Sequence, residues 1–147
     1  MIIDSHVHVF PPGFRDRRDE LVQRDATFRE LYSNPKAVMA TVEELMEALD
    51  AAEVDAAVAV GIGWSDIELA REANDHLAEA VSHSDGRLIG FCAVSPVWGV
   101  DALIEVERCA AAGLKGIGEL HPDTQGFRID DAATMAPLMA AAKRLTR

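Results

Sequence analysis

The chain has 147 residues, 49% of them hydrophobic and 27% charged, enough for one globular core and too apolar for general disorder. Its formal charge of -11 repels phosphate backbones and anionic membrane surfaces, so neither a nucleic-acid partner nor membrane binding is expected. No run approaches the 18 apolar residues of a membrane span, and Cys92 and Cys109 lack the spacing of a metal or redox motif. Two unpaired thiols and the lack of a leader before the first strand make a cytoplasmic protein the default expectation.

The first element is an apolar start, Met1-Ile2-Ile3, running into Asp4-Ser5-His6-Val7-His8. A strand repeats every two residues, so His6 and His8 share a face with Asp4 behind them. Two imidazoles on one face at a strand end form half of a metal site, and Asp4 is expected to orient them rather than to bind the ion. The stretch from Phe10 to Ala40 follows, with Pro11-Pro12-Gly13 and a charged run from Arg15 to Glu20. It reads either as a lid over the site or as a peripheral excursion with a short helix from Asp19 to Tyr32.

Thr41-Val42-Glu43-Glu44 is a capping box that opens a helix striped by Val42, Leu45, Met46 and Leu49. A second apolar run, Ala56 to Ile62, precedes a helix capped by Ser65, on which His76 and His83 are expected to be surface residues. A third run, Leu88 to Val94, leads to a helix from about Val100 to Ala112 with Gly113 at its cap. The fourth run, Leu114 to Leu120, precedes a last helix from about Asp131 to Leu145, in which Pro137 predicts a first-turn position or a kink. Trp64 and Ser95 close the second and third runs, where they either line a pocket or simply end strands.

The runs are continuous rather than alternating, as in strands covered on both faces, and the order is βαβαβαβα. The expected fold is α/β of TIM-barrel type, with four βα units forming a half barrel. In such sheets ligands gather at the carboxyl ends of the strands. There Gly116-Ile117-Gly118-Glu119-Leu120-His121 sets Glu119 and His121 on one face, with the glycines leaving room around them. Glu119 is a candidate metal ligand and catalytic carboxylate, the alternative being an ion pair with Lys115; His121 is a candidate catalytic or substrate-contacting residue. The donor set of His6, His8 and Glu119 suits a divalent ion, zinc first, with manganese or iron as alternatives. Gly61-Ile62-Gly63 lacks the third glycine of a dinucleotide fingerprint, and no Walker loop or nucleophile elbow is present.

The opening Met1 to His8, the segment Ala73-Asn74-Asp75-His76-Leu77-Ala78, and Gly113-Leu114-Lys115-Gly116-Ile117 with Leu120-His121-Pro122 resemble the amidohydrolase superfamily. Within it they are most similar to the amidohydrolase-related group that contains the aminocarboxymuconate-semialdehyde and resorcylate decarboxylases. The resemblance covers the whole chain and the first half of a family barrel. It implies a divalent metal at the carboxyl ends of the strands, with His6 and His8 as the first-strand ligands. It also implies further histidines after the fifth and sixth strands and an aspartate after the eighth, in strands this sequence does not contain. Glu119 resembles the metal-binding glutamate of TatD-type hydrolases, which favours hydrolysis.

The resulting expectation is a metal-dependent hydrolase acting on a small organic substrate through metal-activated water. The alternatives are nonoxidative decarboxylation of a small aromatic or unsaturated acid, or a half barrel that is inactive or works only by assembly. A full barrel takes about 250 residues, so a single domain over 1-147 is expected to be truncated at its carboxyl side or to associate as a homo-oligomer.

Overall fold

The computed structural model describes residues 1-145; the question of a terminus at Arg147 lies outside them. Four strands, β1 (Ile3–Val7), β2 (Ala56–Ala59), β3 (Leu88–Cys92) and β4 (Gly116–Ile117), pair in parallel in the order β1-β2-β3-β4. The helices are α1 (Gly13–Asp16), α2 (Arg18–Arg24), α3 (Ala26–Tyr32), α4 (Val42–Ala51), α5 (Ile67–Ser82), α6 (Val100–Ala111), α7 (Pro122–Gln125) and α8 (Ala132–Leu145). The α/β alternation is that of half a TIM barrel, and β1 and β4 are its edge strands. Among the described residues no helix is long and apolar enough to cross a membrane.

Local chemistry accounts for the helix starts. At α4 the Thr41 hydroxyl accepts from the Glu44 N–H at 3.4 Å, and the Glu44 carboxylate accepts from the Thr41 N–H at 2.9 Å, a reciprocal capping box. At α5 the cap is Asp66 rather than Ser65, because its carboxylate accepts from the N–H groups of Glu68 and Leu69. The Ser65 hydroxyl is instead occupied by the Ala26 N–H at 2.8 Å. Pro137 stands in the second turn of α8, inside the helix rather than at its start.

The segment from Phe10 to Ala40 is a packed layer and not a free lid. Phe10, Phe14, Leu21, Phe28 and Met39 are buried with Trp64, Ile62 and Leu69 in one cluster. Trp64 stacks on Phe28 with ring centroids 5.7 Å apart, and Phe14 meets the same indole edge-on at 5.6 Å. Each such side chain contributes about 1.5 to 3 kcal/mol on burial, which holds the segment down cooperatively. Trp64 is therefore a core residue, and the helix expected over 19-32 is two helices broken at Asp25. That residue is extended (φ -117°, ψ 123°), and its carboxylate caps α3 through the Phe28 N–H.

A second cluster lies between the sheet and helices α6 and α8, built on Cys92, Val94, Val106, Cys109, Leu114 and Leu138. A groove of about 510 Å³ lined by Leu114, Ile117, Met139 and Leu145 runs along the β4 edge of this layer.

Candidate metal centre

β1 and β4 are three strand spacings apart, about 14 Å in a flat sheet. Their carboxyl ends nevertheless meet. β3 stops at Cys92, and beyond it the Gly61 N–H donates to the Gly118 carbonyl at 3.2 Å while the Glu119 N–H donates to the Gly61 carbonyl at 3.0 Å. This bridge between the chain after β2 and the chain after β4 curls the sheet and turns Glu119 toward the histidines. A side chain cannot stand at Gly61, whose Cβ would lie 2.4 Å from the Cβ of Ala93. The room beside Gly116, by contrast, is filled by the Phe91 ring and does not belong to the site.

His6 Nε2, His8 Nε2 and a Glu119 carboxylate oxygen form a triangle with sides of 3.2, 3.3 and 3.5 Å. An ion bonded to three such donors at about 2.1 Å would space them about 3.0 to 3.4 Å apart at octahedral or tetrahedral angles, so the residues fit a divalent metal. The tautomer of His8 fits as well. Its Nδ1 lies 3.1 Å from the Val60 carbonyl, which can only accept, so Nδ1 carries the proton and Nε2 offers its lone pair.

Asp4 does not reach either imidazole. Its carboxylate accepts from the backbone N–H of His6 at 3.2 Å, so the orienting role expected of it passes to the Val60 carbonyl. Glu119 pairs with the two histidines rather than with Lys115. His121 stands outside the triangle, at the N-cap of α7, with its Nδ1 2.9 Å from the Thr124 hydroxyl. His83 is exposed as expected, its Nδ1 beside the Glu79 carbonyl at 3.0 Å. His76 is half-buried, and its Nε2 has no hydrogen-bond partner.

Tyr32 at the end of α3 packs on the aromatic cluster, although its place in a charged, irregular stretch hides it in the sequence. Burial, and after it the charge of the Glu119 carboxylate, pushes its phenol above the ordinary tyrosine value. Its ring stacks on Phe28 at 5.2 Å and meets Phe10 edge-on at 4.9 Å.

A family model described as Amidohydrolase matches residues 3–146. The chain belongs to the amidohydrolase family. No curated protein sequence matches it. Among solved structures this amidohydrolase is similar to 5-carboxyvanillate decarboxylase from Novosphingobium aromaticivorans DSM 12444, a complex with manganese and 4-hydroxy-3-methoxy-5-nitrobenzoic acid. The TM-score is 0.79 at 23% identity, over 100% of this chain and 48% of that one. It is similar to a dihydroxybenzoic acid decarboxylase from Polaromonas sp. JS666 with bound manganese and 2-nitroresorcinol (TM-score 0.56, 21% identity, 98% of this chain and 46% of that one). A probable 2-pyrone-4,6-dicarboxylic acid hydrolase from Acinetobacter baumannii with citric acid bound also matches (TM-score 0.59, 18% identity, 98% and 46%). The chain thus spans about half the length of these structures.

Proposed function

We propose that this chain is the metal-bearing half of an amidohydrolase-family enzyme acting on small organic acids. Nonoxidative decarboxylation of a hydroxylated aromatic acid is the reaction better supported. The carrying observation is the triangle of His6, His8 and Glu119, whose donor spacing and His8 tautomer suit a divalent ion. Manganese with a benzoic acid analogue or a nitroresorcinol in two similar structures supports decarboxylation over hydrolysis, and supports manganese over zinc. Hydrolysis remains the second reading. It is favoured by the carboxylate of Glu119 at the rim and by the likeness to a probable dicarboxylic acid hydrolase.

When bound, the ion would orient the substrate carboxylate and neutralise charge that builds up as the reaction proceeds. The chain's own groups divide the remaining work. The Val60 carbonyl holds His8 in register, and the Gly61 bridge holds Glu119 in reach of both imidazoles. Loss of carbon dioxide leaves the bonding pair on the ring carbon, which must then take a proton. His121 is the imidazole on this rim left outside the donor triangle, and we assign it that transfer, its Nε2 first taking up a proton from water and then passing it to the ring carbon, or, in the hydrolytic reading, general-base duty. Closing the barrel opposite β1 and β4 is assigned to a second half, which would complete the coordination sphere.

Manganese titration followed by calorimetry tests the centre. Wild-type chain should take up one ion, and His6→Ala, His8→Ala and Glu119→Gln should each weaken it beyond the 10- to 100-fold typical of losing an outer partner. Equal uptake by all four proteins would refute the centre. Release of carbon dioxide from hydroxybenzoates by the completed barrel, against ring opening of a lactone acid, separates the two chemistries.

A further inference from the structure

His121 is the end of a directional chain of hydrogen bonds that begins on another element. The Thr27 hydroxyl on α3 lies 2.7 Å from the Gly63 carbonyl, the Thr124 hydroxyl on α7 is hydrogen-bonded to Thr27, and Thr124 lies 2.9 Å from His121 Nδ1. A carbonyl can only accept, so Thr27 directs its proton to Gly63. Thr27 must then accept from Thr124, which directs its own proton to Thr27. Thr124 is left with a lone pair toward His121, so Nδ1 must be the donor. The other acceptor near Thr124, the His121 carbonyl at 3.4 Å, leads to the same conclusion, because a proton sent there is equally lost to Nδ1.

The surroundings make this arrangement rigid. Thr27 is fully buried. Gly63 has a positive φ of 71°, and a Cβ there would lie 2.7 Å from the Cβ of His121, so the backbone after β2 presses directly on the histidine. The His121 N–H donates to the Gln125 side chain at 2.9 Å, and Gln125 in turn donates to the carbonyls of Trp64 at 2.8 Å and Val94 at 3.1 Å. The loop that carries His121 is thereby pinned to the ends of two strands.

We infer that Thr27 and Thr124 are positioning residues that fix His121 in its Nδ1–H tautomer, so that Nε2 presents a lone pair as a base or acceptor on the metal rim. The tautomer follows from the hydrogen bonds alone; its use in turnover rests on the proposed metal-dependent reaction.

The test is long-range ¹H–¹⁵N correlation on chain carrying ¹⁵N-labelled histidine, at a pH where the imidazoles are neutral. His121→Gln identifies the signal among the five histidines. Wild type should show His121 protonated at Nδ1. Thr124→Val should lose that signature, with the ring moving toward the Nε2–H form that free histidine prefers, Thr27→Val should weaken it, and Thr124→Ser should restore it. Manganese binding at His6, His8 and Glu119 should stay within twofold in the three threonine variants. An Nε2–H ring in wild type, or an unchanged ring in Thr124→Val, overturns the inference whether or not that variant is fully stable. Failure of wild type to bind manganese would instead overturn the metal reading and leave the tautomer result standing.

Discussion

Asp25 should be among the most sensitive polar positions in the chain, because one fully buried carboxylate serves two helices and a strand end. One oxygen accepts from the Phe28 N–H at 2.7 Å. The other accepts from the Ser65 N–H at 2.7 Å, the Ser65 hydroxyl at 3.1 Å and the Asp66 N–H at 2.8 Å. In Asp25→Ala the hydroxyl can turn elsewhere, but three backbone donors lose their acceptor. Each unsatisfied buried group costs about 1 to 3 kcal/mol. Water entering the vacated space offsets part of that, so the expected loss is about 3 to 5 kcal/mol, a large fraction of a typical stability of about 5 to 15 kcal/mol. Asp25→Asn separates the roles. Its carbonyl oxygen can keep the Ser65 and Asp66 donors while its amide faces the Phe28 N–H, so only the α3 cap is lost, at about 1 to 2 kcal/mol. Urea unfolding followed by circular dichroism gives both numbers. An Ala variant within about 1 kcal/mol of wild type would refute the reasoning, as would an Asn variant less stable than Ala.

Two further outcomes follow from other parts of the structure. Gly61→Ala should force the chain ends of β2 and β3 apart, since the new Cβ would meet the Cβ of Ala93 at 2.4 Å. It should therefore weaken manganese binding at least tenfold without touching a ligand, measured by the same calorimetry, and unchanged binding would show that the Gly61 bridge does not position Glu119. Glu105 is buried, which pushes its carboxyl up, but hydrogen bonds from Arg108 at 2.7 and 2.9 Å and from Asn74 at 2.8 Å outweigh this and hold it below the ordinary value. Because the folded value is lowered, its stabilisation is complete above the unfolded glutamate range near about 4.3 and is lost as pH falls through the folded value. Glu105→Gln should thus cost about 2 kcal/mol near neutral pH and progressively less in acid; a cost that is constant with pH would contradict the assignment.

Much of the scaffold is written in local patterns. The capping box at Thr41, the stripe of α4 and the glycine after α6 all act within one or two turns, so their effect on the backbone is readable without tertiary contacts. The segment from Phe10 to Ala40 is not, and the reason is physical. Its core residues Phe14, Leu21 and Phe28 recur every seven residues, which is one contact every two turns. They are separated by charges that pair outward, such as Arg17 with Glu20 and Glu72, and Arg24 with Glu20 and Asp66. A charged surface and a buried stripe share the same short helices, and the charges dominate the composition. The break at Asp25 is hidden for the opposite reason: an acidic residue inside a helical pattern becomes a cap only when Ser65 and Asp66, 40 and 41 residues away, present donors to it.

The candidate centre divides along the same line. That His6 and His8 share a face follows from strand periodicity, and that Glu119 lies on the same rim follows from parallel topology. What brings them within 3.5 Å is the curling of the sheet, and its agent is the bridge from Gly61 to Gly118 and Glu119, which follows no evident motif. Gly61 and Gly63, which lack the third glycine of a nucleotide-binding loop, owe their identity to something else. At Gly61 the chain after β4 crosses to the chain after β2 past the end of β3, and at Gly63 the backbone supports His121 from behind with its carbonyl committed to Thr27. Both positions need a missing Cβ for closeness to a partner far along the chain, Ala93 for Gly61 and His121 for Gly63, which no local spacing encodes. The metal rim and the proposed proton-transfer residue are thus set by one short loop. Its sequence signals only that something must come very near.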